Sequence, residues 1–198
     1  MSLSTLIKSI QDIMRKDVGV DGDAQRIGQL VWMFFLKIYD DKETEYELLD
    51  DAYRSPIPEP LRWRNWAADP EGMTGDELLD FVNIELFPAL KNLQPAHNDK
   101  RGFVIRGVFE DAYNYMKSGH LMRQVINKIV AGVDFNKAQD RHLFGDLYEQ
   151  LLRDLQNAGN AGEYYTPRPV TQFVVDMVAP ALGEKILDPA CGTGGFLT

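Results

Sequence analysis

Across residues 1–158, apolar side chains return at intervals of three and four, and in no segment do they alternate with period two for long enough to build a strand. A chain patterned this way hides its apolar surface by packing helix on helix. Leu6, Ile7, Ile10, Ile13 and Met14 make one such face and Ile27, Leu30, Val31, Phe34 and Ile38 a second; the break from Gly19 to Asp23 predicts a helical hairpin. Ser55-Pro56-Ile57-Pro58-Glu59-Pro60 must be loop, because alternate prolines remove backbone donors and hold their predecessors extended. Thr74 and Glu77 have capping-box spacing ahead of Leu78, Leu79, Val82, Leu86 and Leu90, which predicts a helix from about Gly75 to Lys91. After the polar stretch Gln94 to Lys100, Ser118 is placed to cap a helix carrying Leu121, Val125, Ile126, Ile129 and Val130, with Gly132 suited to its end. Leu143, Leu147, Leu151 and Leu155 repeat every four residues from about Asn136 to Asn157, until Gly159-Asn160-Ala161-Gly162 stops them. The expected organisation is therefore mainly α, with a helical domain over 1–158 and a different architecture over 159–198. No internal repeat is present.

Composition narrows the function classes. The 198 residues are 44% apolar and 26% charged, which suits a globular chain and excludes a disordered, collagenous or coiled-coil one. No apolar run approaches the roughly 20 residues that cross a bilayer, and the first residues lack the apolar block of a signal peptide; a cytoplasmic protein without a membrane partner is expected. One cysteine, Cys191, rules out an internal disulfide framework, and His97, His120 and His142 have no zinc-ligand spacing, so no metal is expected. Residues 1–100 hold 11 basic and 19 acidic side chains, net −8, against 10 and 11, net −1, in 101–198. Asp40 to Asp51 alone has seven acids and one lysine; it reads as a solvated helix end and would repel a phosphate backbone. Arg62-Trp63-Arg64-Asn65-Trp66 interleaves cations with aromatics as a nucleic-acid strand binder does, yet two tryptophans after a proline-rich loop more often plug a core edge.

The last forty residues change character. Pro167 opens a helix with Val170, Phe173, Val174, Met177 and Val178 on one face, ending near Pro180 and Gly183. Lys185 to Asp188 then reads as a short strand running into Pro189-Ala190-Cys191-Gly192-Thr193-Gly194-Gly195. A strand ending in an acid, followed by three glycines in four positions, brings backbone N–H groups close to a small polar ligand with no Cβ in the way. Leu197 stands where a dinucleotide fingerprint needs its third glycine, and no Gly-Lys-Ser/Thr of a phosphate loop is present. An acid at the tip suits a cationic group such as an amine or a sulfonium.

Asp188 to Phe196 (Asp-Pro-Ala-Cys-Gly-Thr-Gly-Gly-Phe) closely resembles the first S-adenosylmethionine motif of amino-group DNA methyltransferases. Gly162-Glu163-Tyr164-Tyr165-Thr166-Pro167-Arg168-Pro169 resembles the motif that precedes it in the γ-ordered adenine-N6 enzymes. With a helical region in front, here containing Phe35-Leu36-Lys37, the arrangement resembles the modification (M) subunit of type I restriction–modification systems. The resemblance implies S-adenosyl-L-methionine as cofactor, methyl transfer to adenine N6, and a Rossmann-like methyltransferase domain begun, but incomplete, in 159–198. It implies that Asp188 and the amides of Gly192, Thr193, Gly194 and Gly195 hold the methionine part, and that Glu163, Tyr164, Tyr165, Thr166, Pro167 and Arg168 close over it. Thr166 either offers its hydroxyl to the cofactor's carboxylate or only caps the helix at Pro167. Tyr164 and Tyr165 are cofactor contacts or core aromatics, and Arg168 pairs with a carboxylate or lies on the surface. Cys191 reads as a small turn residue. The implied partners are a specificity subunit, a second M subunit, a restriction subunit in the larger complex, and duplex DNA reached through that complex.

One departure bears on activity. The family's Asn/Asp-Pro-Pro-aromatic motif, which accepts the hydrogens of the flipped adenine's amino group, has no counterpart here, since no Pro-Pro dipeptide occurs. No catalytic residue is therefore assigned, and the 198 residues alone are expected to be inactive and to bind the cofactor poorly. Two further readings stay open: a stand-alone adenine-N6 methyltransferase carrying its own recognition domain, and a non-enzymatic helical adaptor whose glycine-rich turn is merely structural.

Overall fold

The computed structural model describes residues 3–134, 166, 168–191 and 196–197. They belong to two compact units, Met1–Asp154 and Leu155–Thr198.

In the first unit, α1 (Leu3–Met14) turns at 15–22 into α2 (Asp23–Leu49), the expected hairpin. The α1 face Leu6, Ile7, Ile10, Ile13 and Met14 is buried. On α2, Leu30, Trp32, Met33, Phe34 and Leu36 are all buried, so this stretch of helix is covered on most of its circumference rather than along one stripe. The proline loop leads through a 3-10 turn (Glu59–Leu61) to the short α3 (Trp63–Trp66). The helix expected over Gly75 to Lys91 forms as α4 (Gly75–Asp80), a π-helical segment (Phe81–Leu86) and α5 (Phe87–Lys91). Then come α6 (Lys100–Glu110) and α7 (Gly119–Gly132). Helix α7 lies on α1 and α4, and α5 on α6. Trp32, Phe87 and Phe109 stack edge to face through the centre, with centroids 5.1 and 5.3 Å apart. Gly119 at the head of α7 sits so close to α4 that a Cβ would fall 1.8 Å from the Gly75 carbonyl oxygen, and Gly75 itself has φ +59°. Both positions need glycine for steric reasons.

Two expectations are corrected, one is met and one helix is added. Thr74 does not cap α4; its hydroxyl is 3.0 Å from His120 Nδ1, tying the head of α4 to α7 instead. Ser118 does cap α7, accepting from the Leu121 amide. Helix α6 was not expected, because Gly102 and Gly107 dilute its pattern; it is started by Asp99, which accepts from the Gly102 amide, and held by buried Ile105 and Phe109. Asp40 to Asp51 is not simply a solvated end: Asp40, Asp41 and Glu43 are buried.

In the second unit, α8 (Arg168–Val178) matches the helix expected there and ends at Ala179, which adopts φ +46°. Lys185 to Asp188 makes no strand; with no ladder partner among the described residues, its backbone groups have nothing to pair with. The helix expected over Asn136 to Asn157 lies outside the described residues. Among the described residues no helix is long and apolar enough to cross a membrane.

Candidate functional site

The glycine-rich motif that follows α8 is described at its acidic start. The side chain of Asp188 folds back on its own turn, Oδ1 accepting from the Ala190 amide at 3.0 Å. Oδ2 is shielded from solvent and has no hydrogen-bond partner among the described residues. A carboxylate oxygen left in this state is an acceptor waiting for a donor, because a buried unpaired acceptor costs about 1–3 kcal/mol. Thr166 and Cys191 are exposed, and Arg168 opens α8. Glu163, Tyr164, Tyr165, Pro167, Gly192, Thr193, Gly194 and Gly195 lie outside the described residues. Among the described residues no group of three or more His, Cys, Asp or Glu is placed to hold a metal ion.

In the first unit, charged and phenolic groups gather between the C-terminal half of α2 and the chain that folds back on it. Arg64 donates from Nε to Asp40 at 2.7 Å and from Nη1 to Glu47 at 2.8 Å, and Arg62 reaches Glu47 at 2.9 Å. Burial works against the Arg64 charge, but the bonds to Asp40 and Glu47 hold its pKa above the ordinary value. Lys37 pairs with Asp41 at 2.6 Å along the helix. Trp63 and Trp66 are buried, so the Arg-Trp-Arg-Asn-Trp segment is spent on the core edge and on the acids of α2. Beside it the Tyr53 hydroxyl donates to Glu43 at 2.7 Å and lies 3.5 Å from that of Tyr39. The Arg101 guanidinium caps the Tyr46 ring at 4.2 Å from its centroid and the Tyr53 ring at 5.3 Å. Burial, with Glu43 nearby, pushes the Tyr39 phenol up to about 12 and moves Tyr53 further in the same direction. These groups lock elements together, with little left over for a substrate.

Comparison with known proteins places this architecture. The description HsdM N-terminal domain matches residues 3–129, and N-6 DNA Methylase matches residues 139–198. The chain belongs to the methylase (M) subunit family of type I restriction enzymes. It is 65% identical to the EcoEI methylase subunit of Escherichia coli over 100% of this chain and 40% of that protein. A modification subunit assigned to a type I restriction enzyme from Vibrio vulnificus YJ016 superposes with a TM-score of 0.86 at 44% identity, covering 98% of this chain and 44% of that one. A chain from a structural study of complex assembly and conformational transition of the type I R-M system gives 0.80 at 38%, covering 98% and 39%. The sequence thus spans less than half the length of these M-subunit relatives.

Within the family frame, the two motifs read from sequence fall inside the stretch matched as N-6 DNA Methylase, whereas every polar cluster described above falls inside or beside the HsdM N-terminal match. Sequence reasoning missed those clusters. Arg62 and Asp40 are over twenty residues apart, and only the reversal of the chain at the proline loop brings the two segments together.

Proposed function

We propose that this chain forms the N-terminal part of an S-adenosylmethionine-dependent adenine-N6 DNA methyltransferase acting as the M subunit of a type I restriction–modification complex. The observation that carries the reading is the half-buried Asp188, whose Oδ2 is shielded and without a partner among the described residues, at the start of Asp-Pro-Ala-Cys-Gly-Thr-Gly-Gly-Phe. The cofactor supplies the methyl group on a sulfonium. Asp188 Oδ2 would accept from its amino group, while the Ala190 amide holds the other oxygen. The amides of Gly192, Thr193, Gly194 and Gly195 would hold the methionine part without Cβ obstruction, and Glu163, Tyr164, Tyr165, Thr166, Pro167 and Arg168 would close over it. Adenine is received by residues outside these 198, so the chain alone binds cofactor weakly and transfers nothing. The boundary between the helical domain and the methyltransferase domain is placed at 158/159. A specificity subunit, a second M subunit and a restriction subunit complete the assembly, in the cytoplasm, and DNA is met through the complex.

The test uses the full-length subunit. Calorimetry with S-adenosylmethionine should show binding that Asp188→Ala weakens by about 10-fold or more, the loss expected of a charge-assisted hydrogen bond of about 1.5–3 kcal/mol. Unchanged affinity removes Asp188 from the site. Methyl incorporation into adenine-containing duplexes, with the specificity subunit supplied, should occur with the full-length protein and stay at background with the 198-residue chain.

A further inference from the structure

Residues 179–187 connect α8 to Asp188, and one side chain closes the turn between them. The helix stops at Ala179, whose φ of +46° takes the chain off the helical path while its amide still donates to the Val175 carbonyl at 2.8 Å. Pro180 has no amide to offer, and Ala181 to Glu184 then form a β-turn in which the Glu184 amide donates to the Ala181 carbonyl at 3.1 Å. Gly183, third in the turn, has φ +93°, the sign that a type II turn requires there. A Cβ on Gly183 would meet nothing within 4 Å, so the glycine serves the backbone conformation and not a close contact. The Glu184 side chain reaches back across the turn, its Oε2 accepting from the Ala181 amide at 2.9 Å. Both backbone polar groups of Ala181 are thus bonded to one residue, which closes the turn twice.

Beyond the turn the chain has few other holds. Lys185 is exposed, Ile186 is 59% and Leu187 85% exposed, and the segment has no ladder partner among the described residues. Asp188 in turn bonds only its own loop, through the Ala190 amide at 3.0 Å. From the α8 side, the course of the chain into Asp188 is therefore set by the Ala181–Glu184 turn. We infer that Glu184 is a positioning residue for the cofactor: by locking this turn it fixes the point from which the chain runs to Asp188, and with it the aim of the carboxylate. The inference rests on the cofactor reading of Asp188 proposed above. Glu184 acts through Asp188 and not on the cofactor, since its carboxylate is turned to the Ala181 amide and three residues stand between the two acids. The turn needs an acceptor of this length and not its charge.

Calorimetry with S-adenosylmethionine on the full-length subunit should show Glu184→Ala weakening binding about three-fold, the effect of losing one hydrogen bond. Gly183→Ala, which forces a Cβ onto a positive φ, should weaken it similarly, whereas Glu184→Gln keeps an acceptor oxygen and should bind like the parent. In an Asp188→Ala background, Glu184→Ala should have no further effect, because the group it positions is gone; a general loosening of the fold would weaken binding in both backgrounds. Parent-like binding by Glu184→Ala, a Glu184→Gln variant as weak as Glu184→Ala, or losses that multiply in the double variant would each overturn the inference. A parent subunit that binds no S-adenosylmethionine removes the cofactor reading and this inference together. A parent that binds, with Asp188→Ala weakened and Glu184→Ala unaffected, leaves that reading standing and removes Glu184 alone.

Discussion

Arg123 shows how much one residue can hold. Buried on α7, its guanidinium donates to the carbonyl oxygens of Trp66, Ala67, Asp69 and Met73, at 2.7 to 3.3 Å. Among the described residues no carboxylate is bonded to it, and burial lowers its pKa although Asp69 works the other way. Four carbonyls of the connection between α3 and α4 thus depend on one side chain. Arg123→Met fills the volume but satisfies none of them, and urea denaturation should show a loss of about 2–4 kcal/mol. The tyrosines of α2 and its loop set a second expectation. A phenol raised from 10 to about 12, as Tyr39 is, stays neutral in the folded chain while the unfolded chain ionises. Stability is therefore intact below the unfolded value and drains away as pH rises from about 10 to about 12, with Tyr53 acting in the same direction. Denaturation midpoints followed across that window should fall. Tyr53→Phe should flatten the fall, and at neutral pH should cost about 1–3 kcal/mol because Glu43 loses its donor.

At the scale of an element, the most informative is the helix over 75–91. Four of its six buried residues, Leu78, Val82, Leu86 and Leu90, fall at intervals of four, which overshoots the 3.6 residues of an α-helical turn and would carry that row around the helix. The π-helical segment Phe81–Leu86 absorbs the surplus, so that Phe87 and Leu90 still face the core. Deleting Ile84, which is 67% exposed, should let the segment close to ordinary α-helix with both flanking faces kept. The expected cost is no more than about 2 kcal/mol, chiefly the Asn83–Asn114 bond, with an unchanged far-UV circular dichroism spectrum. A chain that loses its helical signal would show instead that the wide turns are needed for the fold itself.

For the molecule as a whole, the first unit has what an independent domain needs: a continuous apolar cluster from Leu6 to Val133 and polar clusters that close on themselves. Residues 1–154 expressed alone should unfold in one cooperative transition, with fluorescence from its three tryptophans coinciding with the loss of helix. Two transitions in that piece would defeat the assignment.

The sequence by itself determined the helical class, the hairpin, the proline loop, the Ser118 cap and the family, because each depends on residues within a few positions of one another or on a contiguous motif. The role proposed for Asp188 rests on a contiguous motif in the same way. Tertiary structure decided the fate of Asp40 to Asp51, whose acids look solvated until Arg62 and Arg64 fold back on them. It decided that Thr74 bonds His120 rather than its own helix, and that Lys185 to Asp188, which reads as a strand, stays unpaired among the described residues. It also fixed residues 112–118, which form no regular element, through Asp17 and Gln29. Periodicity reports which face of an element is buried; it carries no information about which distant polar group will meet it there, and that pairing is where these residues acquire their roles.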